Sequence, residues 1–235
     1  MNNTNSLRLD DKKNLVGFKE SLIKDVHFGD IVGYEDIKQI FKMSLESEKP
    51  VHILLVGPPA SAKTLFMLEC MKLERSFFTL GSHSSKAGMI DYLFENRPRY
   101  LLIDEIEYMP FKDQSALLSL METGILTETK SQKTRNTLLK TWVFATCNNK
   151  NKLLTPLLSR FMVFHLKPYS RYKFIEISNN ILVNSGTSFE IANTISEIVW
   201  SKLKSKDIRD SVKIAKLAKT KNDVIMIAKT LSLYR

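Results

Sequence analysis

The segment Gly57-Pro58-Pro59-Ala60-Ser61-Ala62-Lys63-Thr64 joins a short apolar run, 51–56, to an apolar stretch of helical spacing, LFMLECMKL. Binding a chain of phosphates calls for main-chain N–H groups around a concavity, a lysine for the outer phosphates, a hydroxyl for Mg²⁺ and the positive end of a helix. Lys63 and Thr64 stand where that chemistry needs them. Ala60 and Ala62 depart from the glycine-rich pattern, so in isolation the segment also reads as a plain strand-to-helix turn with an incidental lysine. A second apolar run, Tyr100-Leu101-Leu102-Ile103, ends in Asp104-Glu105. At the C-terminal end of a buried strand, Asp104 can hold a Mg²⁺ shell and Glu105 can polarise a water, whereas in isolation such a pair is often just an exposed loop end. The two features in one chain support each other. Thr146-Cys147-Asn148 closes a third apolar run; if that strand lies between the other two, Asn148 reaches the same crevice. Arg160, just before a further strand, is suited to stabilising charge on a transferring phosphoryl group, in its own site or a neighbour's.

Strands and helices must place these residues. Apolar runs of strand length occur at 51–56, 76–80, 100–104, 142–147 and 162–166, and most are separated by helical spacing such as 64–73, 87–95 and 113–123. Near-continuous apolar strands alternating with helices predict a parallel sheet covered on both faces. Helices are expected over 11–26 and 34–47 before it, and over 171–184, 189–203, 208–219 and 222–234 after it. The chain thus divides into an α/β part, 1–168, and a small helical part, 169–235. Residues 124–140 carry two β-prone arms around a polar, basic tip, which predicts a hairpin with Lys130, Lys133 and Arg135 near its turn.

Composition narrows the classes. With 235 residues and 43% hydrophobic side chains the chain can bury a core. Two cysteines, Cys70 and Cys147, make no disulfide framework and are expected to be buried thiols in a reducing cytosol. His27, His52, His83 and His165 have no ligand spacing, so no zinc site is expected, and Ser82-His83-Ser84-Ser85 reads as a loop. The polar N-terminus and the lack of any long apolar run predict a soluble, cytoplasmic protein without a membrane span. The net charge is +10, and the last 35 residues hold ten basic and three acidic side chains, which fits either a solvated helical face or a polyanion-binding surface.

Taken together these segments resemble the AAA+ ATPases. Asp30-Ile31-Val32-Gly33-Tyr34-Glu35 is similar to the segment that packs near adenine in that family, with Val32 and Gly33 at its centre. GPPASAKT is similar to the family's phosphate loop, LLIDEIEYM to its Mg²⁺ and base strand, TCN to its first sensor and LLSRF to its arginine finger. Within Lys206-Asp207-Ile208-Arg209-Asp210, Arg209 resembles the second-sensor arginine of the helical lid. An alanine before the loop lysine also occurs in minichromosome-maintenance helicases. The hairpin at 124–140 resembles the pre-sensor hairpin of the clade that holds RuvB-type branch-migration motors, minichromosome-maintenance helicases and MoxR-type chaperones, and Ser115-Ala116-Leu117-Leu118-Ser119-Leu120-Met121-Glu122-Thr123-Gly124 is similar to those proteins as well. The resemblance implies a P-loop NTPase sheet with a helical lid, ATP and Mg²⁺ as cofactors and a homo-oligomeric ring, a hexamer by analogy. It implies DNA as the favoured substrate, a remodelled protein as the rival, and a nucleotide-binding regulatory module with little turnover as a third reading.

Overall fold

The computed structural model describes residues 28–29, 31–59, 61–82, 86–130 and 133–234. The helix expected over 11–26, Asp30, Ala60, His83 to Ser85 and the hairpin residues 131–132 lie outside them, as do the side chains of Lys130 and Lys133. In chain order the elements are α1 (Glu35–Glu46), β1 (His52–Val56), α2 (Lys63–Cys70), β2 (Ser76–Leu80), α3 (Lys86–Asn96), β3 (Tyr100–Asp104), α4 (Phe111–Thr123), β4 (Ile125–Lys130), β5 (Lys133–Leu138), β6 (Trp142–Cys147), α5 (Thr155–Leu158) and β7 (Phe161–His165). Four more helices follow: α6 (Arg171–Asn184), α7 (Phe189–Ser201), α8 (Ile208–Leu217) and α9 (Lys221–Tyr234).

Five strands form one sheet in the order β2-β3-β6-β1-β7, and every neighbouring pair is parallel. The inner strands β1, β3 and β6 are buried at every position, which is why their sequences are almost unbroken apolar runs. The edge strands differ: β2 is half-buried throughout and β7 is mixed. Leu54 pairs with Ala145 and Leu101 with Val143, so these residues share one face, and they pack with Ile90 and Leu93 of α3 and Leu117 and Leu120 of α4. On another side Phe28, Phe41, Phe66 and Phe144 form an aromatic cluster with ring centroids 5.1–5.6 Å apart. Each fully buried ring contributes roughly 1.5–3 kcal/mol of hydrophobic stabilisation. β4 and β5 pair antiparallel as a separate hairpin, Ile125 opposite Leu138 and Lys130 opposite Lys133.

The described chain divides into two compact units, one holding the residues up to Val56 and Ala62–His165, the other Gly57–Ser61 and the residues from Leu166 onward. The second unit is helical in α6–α9 and buries Phe174, Leu182, Ile195, Val199, Ile214 and Val224 together. A small polar layer, Ser178, Asn179 and Ser196, is satisfied by mutual hydrogen bonds inside it. Among the described residues no helix is long and apolar enough to cross a membrane.

Candidate functional site

The C-terminal ends of β1, β3 and β6 deliver the site, because adjacent parallel strands present their ends on one side of the sheet. Strand β6 does lie between β3 and β1, as the role expected for Asn148 requires. Thr64, in the first turn of α2, donates its hydroxyl to Asp104 Oδ2 at 3.0 Å, joining residues 40 positions apart. The Thr146 hydroxyl donates to the other oxygen, Oδ1, and accepts the Glu105 N–H at 3.1 Å. Asp104 is therefore buried with both oxygens engaged, while the adjacent Glu105 side chain is exposed. A left-handed backbone at Glu105, φ +55°, turns the chain there into a short 3-10 turn, Ile106–Tyr108.

Lys63 is buried at the start of α2. Burial pushes its ammonium below the usual lysine range, and the carboxylates of Asp104, Glu107 and Glu105 oppose that shift. Ala62, where the usual loop has glycine, adopts φ +65°, a left-handed conformation in which glycine is strain-free. Asn148 is half-buried, and its main-chain N–H donates to Glu107 Oε1 at 2.7 Å. The Arg160 guanidinium donates to Glu122 Oε1 at 2.6 Å and to Ser159 Oγ at 3.1 Å.

The other expected residues lie as follows. Val32 is half-buried; Gly33 and Tyr34 are left-handed, with φ +82° and +60°, and the Tyr34 ring lies 6.4 Å from Phe66 of α2. Gly57, Pro58 and Ser61 belong to the second unit, where the Ser61 hydroxyl donates to the Pro58 carbonyl at 2.8 Å. A side chain at Gly57 would meet the Leu166 carbonyl at 2.7 Å, so only glycine fits that turn. Pro59 is exposed. Arg209 is also in the second unit, at the start of α8, where its Nε donates to both oxygens of Asp207 at 3.0 and 2.9 Å.

One expectation is corrected. Arg135 was expected near the hairpin turn, as one of the charges of a polar, basic tip. Its Nε instead donates to Glu128 Oε2 at 2.7 Å, it pairs with Asp91 of α3, and it stacks 4.2 Å over the Phe94 ring. Glu128 is buried directly opposite it in the hairpin, so the guanidinium compensates a buried carboxylate.

Sequence reasoning passed over two residues of this cluster, Thr146 and Glu107. A signal existed for each: Thr146 is the hydroxyl in an otherwise apolar strand, and Glu107 is an acid between the buried Ile106 and Met109. His52 is a satisfied core histidine, its Nδ1 accepting the Val143 N–H at 3.0 Å and its Nε2 lying 3.3 Å from the Met121 carbonyl. Cys70 and Cys147 are buried thiols, as expected.

The donor set fits a magnesium nucleotide. Among the described residues no group of three or more His, Cys, Asp or Glu converges as a metal cage. Mg²⁺ is ordinarily held by one or two carboxylates together with substrate phosphates, and Asp104 with the Thr64 hydroxyl supplies the protein's share.

Residues 53–169 match the ATPase family associated with various cellular activities (AAA), so that segment is an AAA domain. Its fold is that of RuvB. The Thermotoga maritima RuvB Holliday junction branch migration motor superposes with a TM-score of 0.65 at 19% identity, covering 89% of this chain and 73% of that one. A point mutant of the same Thermotoga maritima protein gives 0.67 at 19% identity, covering 88% and 73%. No curated protein matches the sequence.

Proposed function

We propose that this chain binds ATP with Mg²⁺, hydrolyses it, and works as a ring-forming motor on DNA. The observation that carries the reading is the Thr64 hydroxyl donating to Asp104 beside the buried Lys63, at the positive end of α2. Lys63 and the loop that ends in it hold the phosphates. Thr64 and Asp104 hold the metal, whose charge polarises the outer phosphorus when the nucleotide is bound. Glu105, exposed beside the enclosed Asp104, orients the attacking water, and Asn148 steadies the outer phosphate. Val32 and Gly33 border the base. Arg160 completes the site of a neighbouring copy, and Arg209 contributes from the helical part.

The DNA part of the reading rests on the net charge of +10 and on the likeness to a branch migration motor. With Arg135 committed to carboxylates, the reading assigns the DNA contacts of the hairpin to Lys130 and Lys133.

Steady-state ATP hydrolysis with and without DNA tests both parts. Glu105→Gln should bind ATP normally and hydrolyse it more slowly by a factor on the order of 10² or more. Lys63→Ala should lose nucleotide binding itself. Turnover equal to wild type in the first variant removes the role given to Glu105, and unchanged affinity in the second overturns the phosphate-loop reading. Replacing Lys130 and Lys133 by Ser should leave basal hydrolysis intact and flatten the dependence of log affinity on log salt by roughly 0.7–0.9 per lost phosphate contact. A wild type that binds no DNA at low salt removes the DNA reading and leaves protein remodelling as the better one.

A further inference from the structure

Three residues beyond Asp104, in the 3-10 turn Ile106–Tyr108, stands a carboxylate for which phosphate binding and water activation have no use. Glu107 is 6% exposed. Its Oε1 accepts the Asn148 N–H at 2.7 Å, while its Oε2 is enclosed and has no donor among the described residues. A buried anionic oxygen without a donor lowers stability, and an apolar side chain of similar volume would carry no such penalty. Folding alone therefore does not account for a carboxylate at this position.

Its surroundings point to the reaction. The negative charge at Glu107 is second only to Asp104 in holding the Lys63 ammonium up against burial. After burial itself, it is also the leading cause that pushes the Cys147 thiol up to about 12. Glu107 is thus electrostatically part of the cluster that contains Lys63, Asp104 and Glu105. The group it bonds is the main chain of Asn148, at the point where β6 ends and the chain leaves the sheet.

We propose that Glu107 is a positioning residue: its buried carboxylate fixes the main chain at Asn148, and so holds the Asn148 side chain against the reacting phosphate. The proposal rests on the ATPase reading above, because it gives Asn148 a role in the reaction. A fixed main chain matters because a misplacement of about 1 Å in a catalytic group can lower a rate by about 10². The clamp joins the end of β3 to the end of β6 across 41 positions, so the two strand ends that carry Glu105 and Asn148 move as one.

The test uses Glu107→Met, which keeps the volume and accepts nothing, and Glu107→Gln, whose amide oxygen can take the same N–H. In the wild type without nucleotide, the Asn148 amide should exchange with solvent at least about tenfold more slowly than in an unstructured chain. An unprotected amide overturns the proposal whether or not any variant folds. Glu107→Met should speed that exchange by about tenfold and lower kcat by about tenfold, with KM within about threefold, and Glu107→Gln should restore both to within about threefold. Asn148→Ala keeps the main-chain bond and removes the side chain it positions. In that background Glu107→Met should lower kcat by no more than about twofold. An equal loss in both backgrounds means that Glu107 acts on the fold at large, and it overturns the proposal. A wild type that hydrolyses ATP while Glu107→Met matches its kcat removes this inference alone; a wild type that binds no nucleotide removes the ATPase reading and this inference with it.

Discussion

Ala62 shows how one backbone dihedral decides what a residue is worth. It precedes α2 at φ +65°, and it stands where phosphate loops ordinarily carry glycine. A left-handed conformation costs a residue with a Cβ roughly 1–2 kcal/mol. Glycine avoids that strain, though its extra freedom in the unfolded chain returns about 0.5–1 kcal/mol. Ala62→Gly is therefore expected to stabilise the protein by about 0.5–1 kcal/mol, and Ala62→Val to destabilise it, since branching at Cβ worsens the strain. Urea unfolding midpoints decide the matter: a midpoint for Ala62→Gly at or below wild type would show that the turn is not strained. Asp104 makes the complementary point, because both of its oxygens are tied by hydroxyls from elements remote in sequence.

Among the elements, the central strands are locked by a buried histidine, His52. His52 opens β1, takes the Val143 N–H of β6 on Nδ1 and reaches the Met121 carbonyl in α4 with Nε2, so the ring is neutral with its proton on Nε2. Protonating Nδ1 would set two donors against each other. Burial is the main reason that its pKa lies below the ordinary imidazole value, and the Met121 carbonyl opposes that shift in part. Between this lowered folded value and the unfolded value of about 6.5 the unfolded chain binds the extra proton, so stability present above about pH 6.5 is lost as pH falls. The slope this adds is at most about 1.4 kcal/mol per pH unit. Unfolding measured from pH 7.5 to 5.5 should fall more steeply for wild type than for His52→Asn. Parallel curves would mean that His52 titrates alike folded and unfolded.

At the scale of the whole molecule the question is whether one chain suffices. Arg160 is paired with Glu122 on its own surface, an interaction between partly exposed groups worth about 0.2–1 kcal/mol, weak enough to be exchanged on assembly. If Arg160 serves a neighbour, Arg160→Ala should bind ATP without hydrolysing it, and mixing it with Glu105→Gln should restore part of the activity. Some interfaces in such mixtures pair an intact Glu105 with an intact Arg160. Mixed assemblies that form and stay inactive would place the action of Arg160 within its own chain or nowhere.

Much of this was written locally. The apolar runs of β1, β3 and β6 are legible because a strand covered on both faces has no polar positions to confuse the pattern, and Lys63-Thr64 and Asp104-Glu105 are legible because each follows such a run. The alternation of strand and helix fixed a parallel α/β sheet with helices after it, again because period and length are local properties. Other features depend on residues far apart in the chain, and only the tertiary structure decided them. The charge of Arg135 looked available until folding brought Asp91, 44 positions away, and Glu128 against it. Glu107 was passed over because its partner is not local: only the sheet, which sets β6 beside β3, brings the Asn148 amide to its oxygen. Spacing along a chain reports which face a residue can present, but burial and hydrogen-bond partners depend on which distant segment the fold lays against that face.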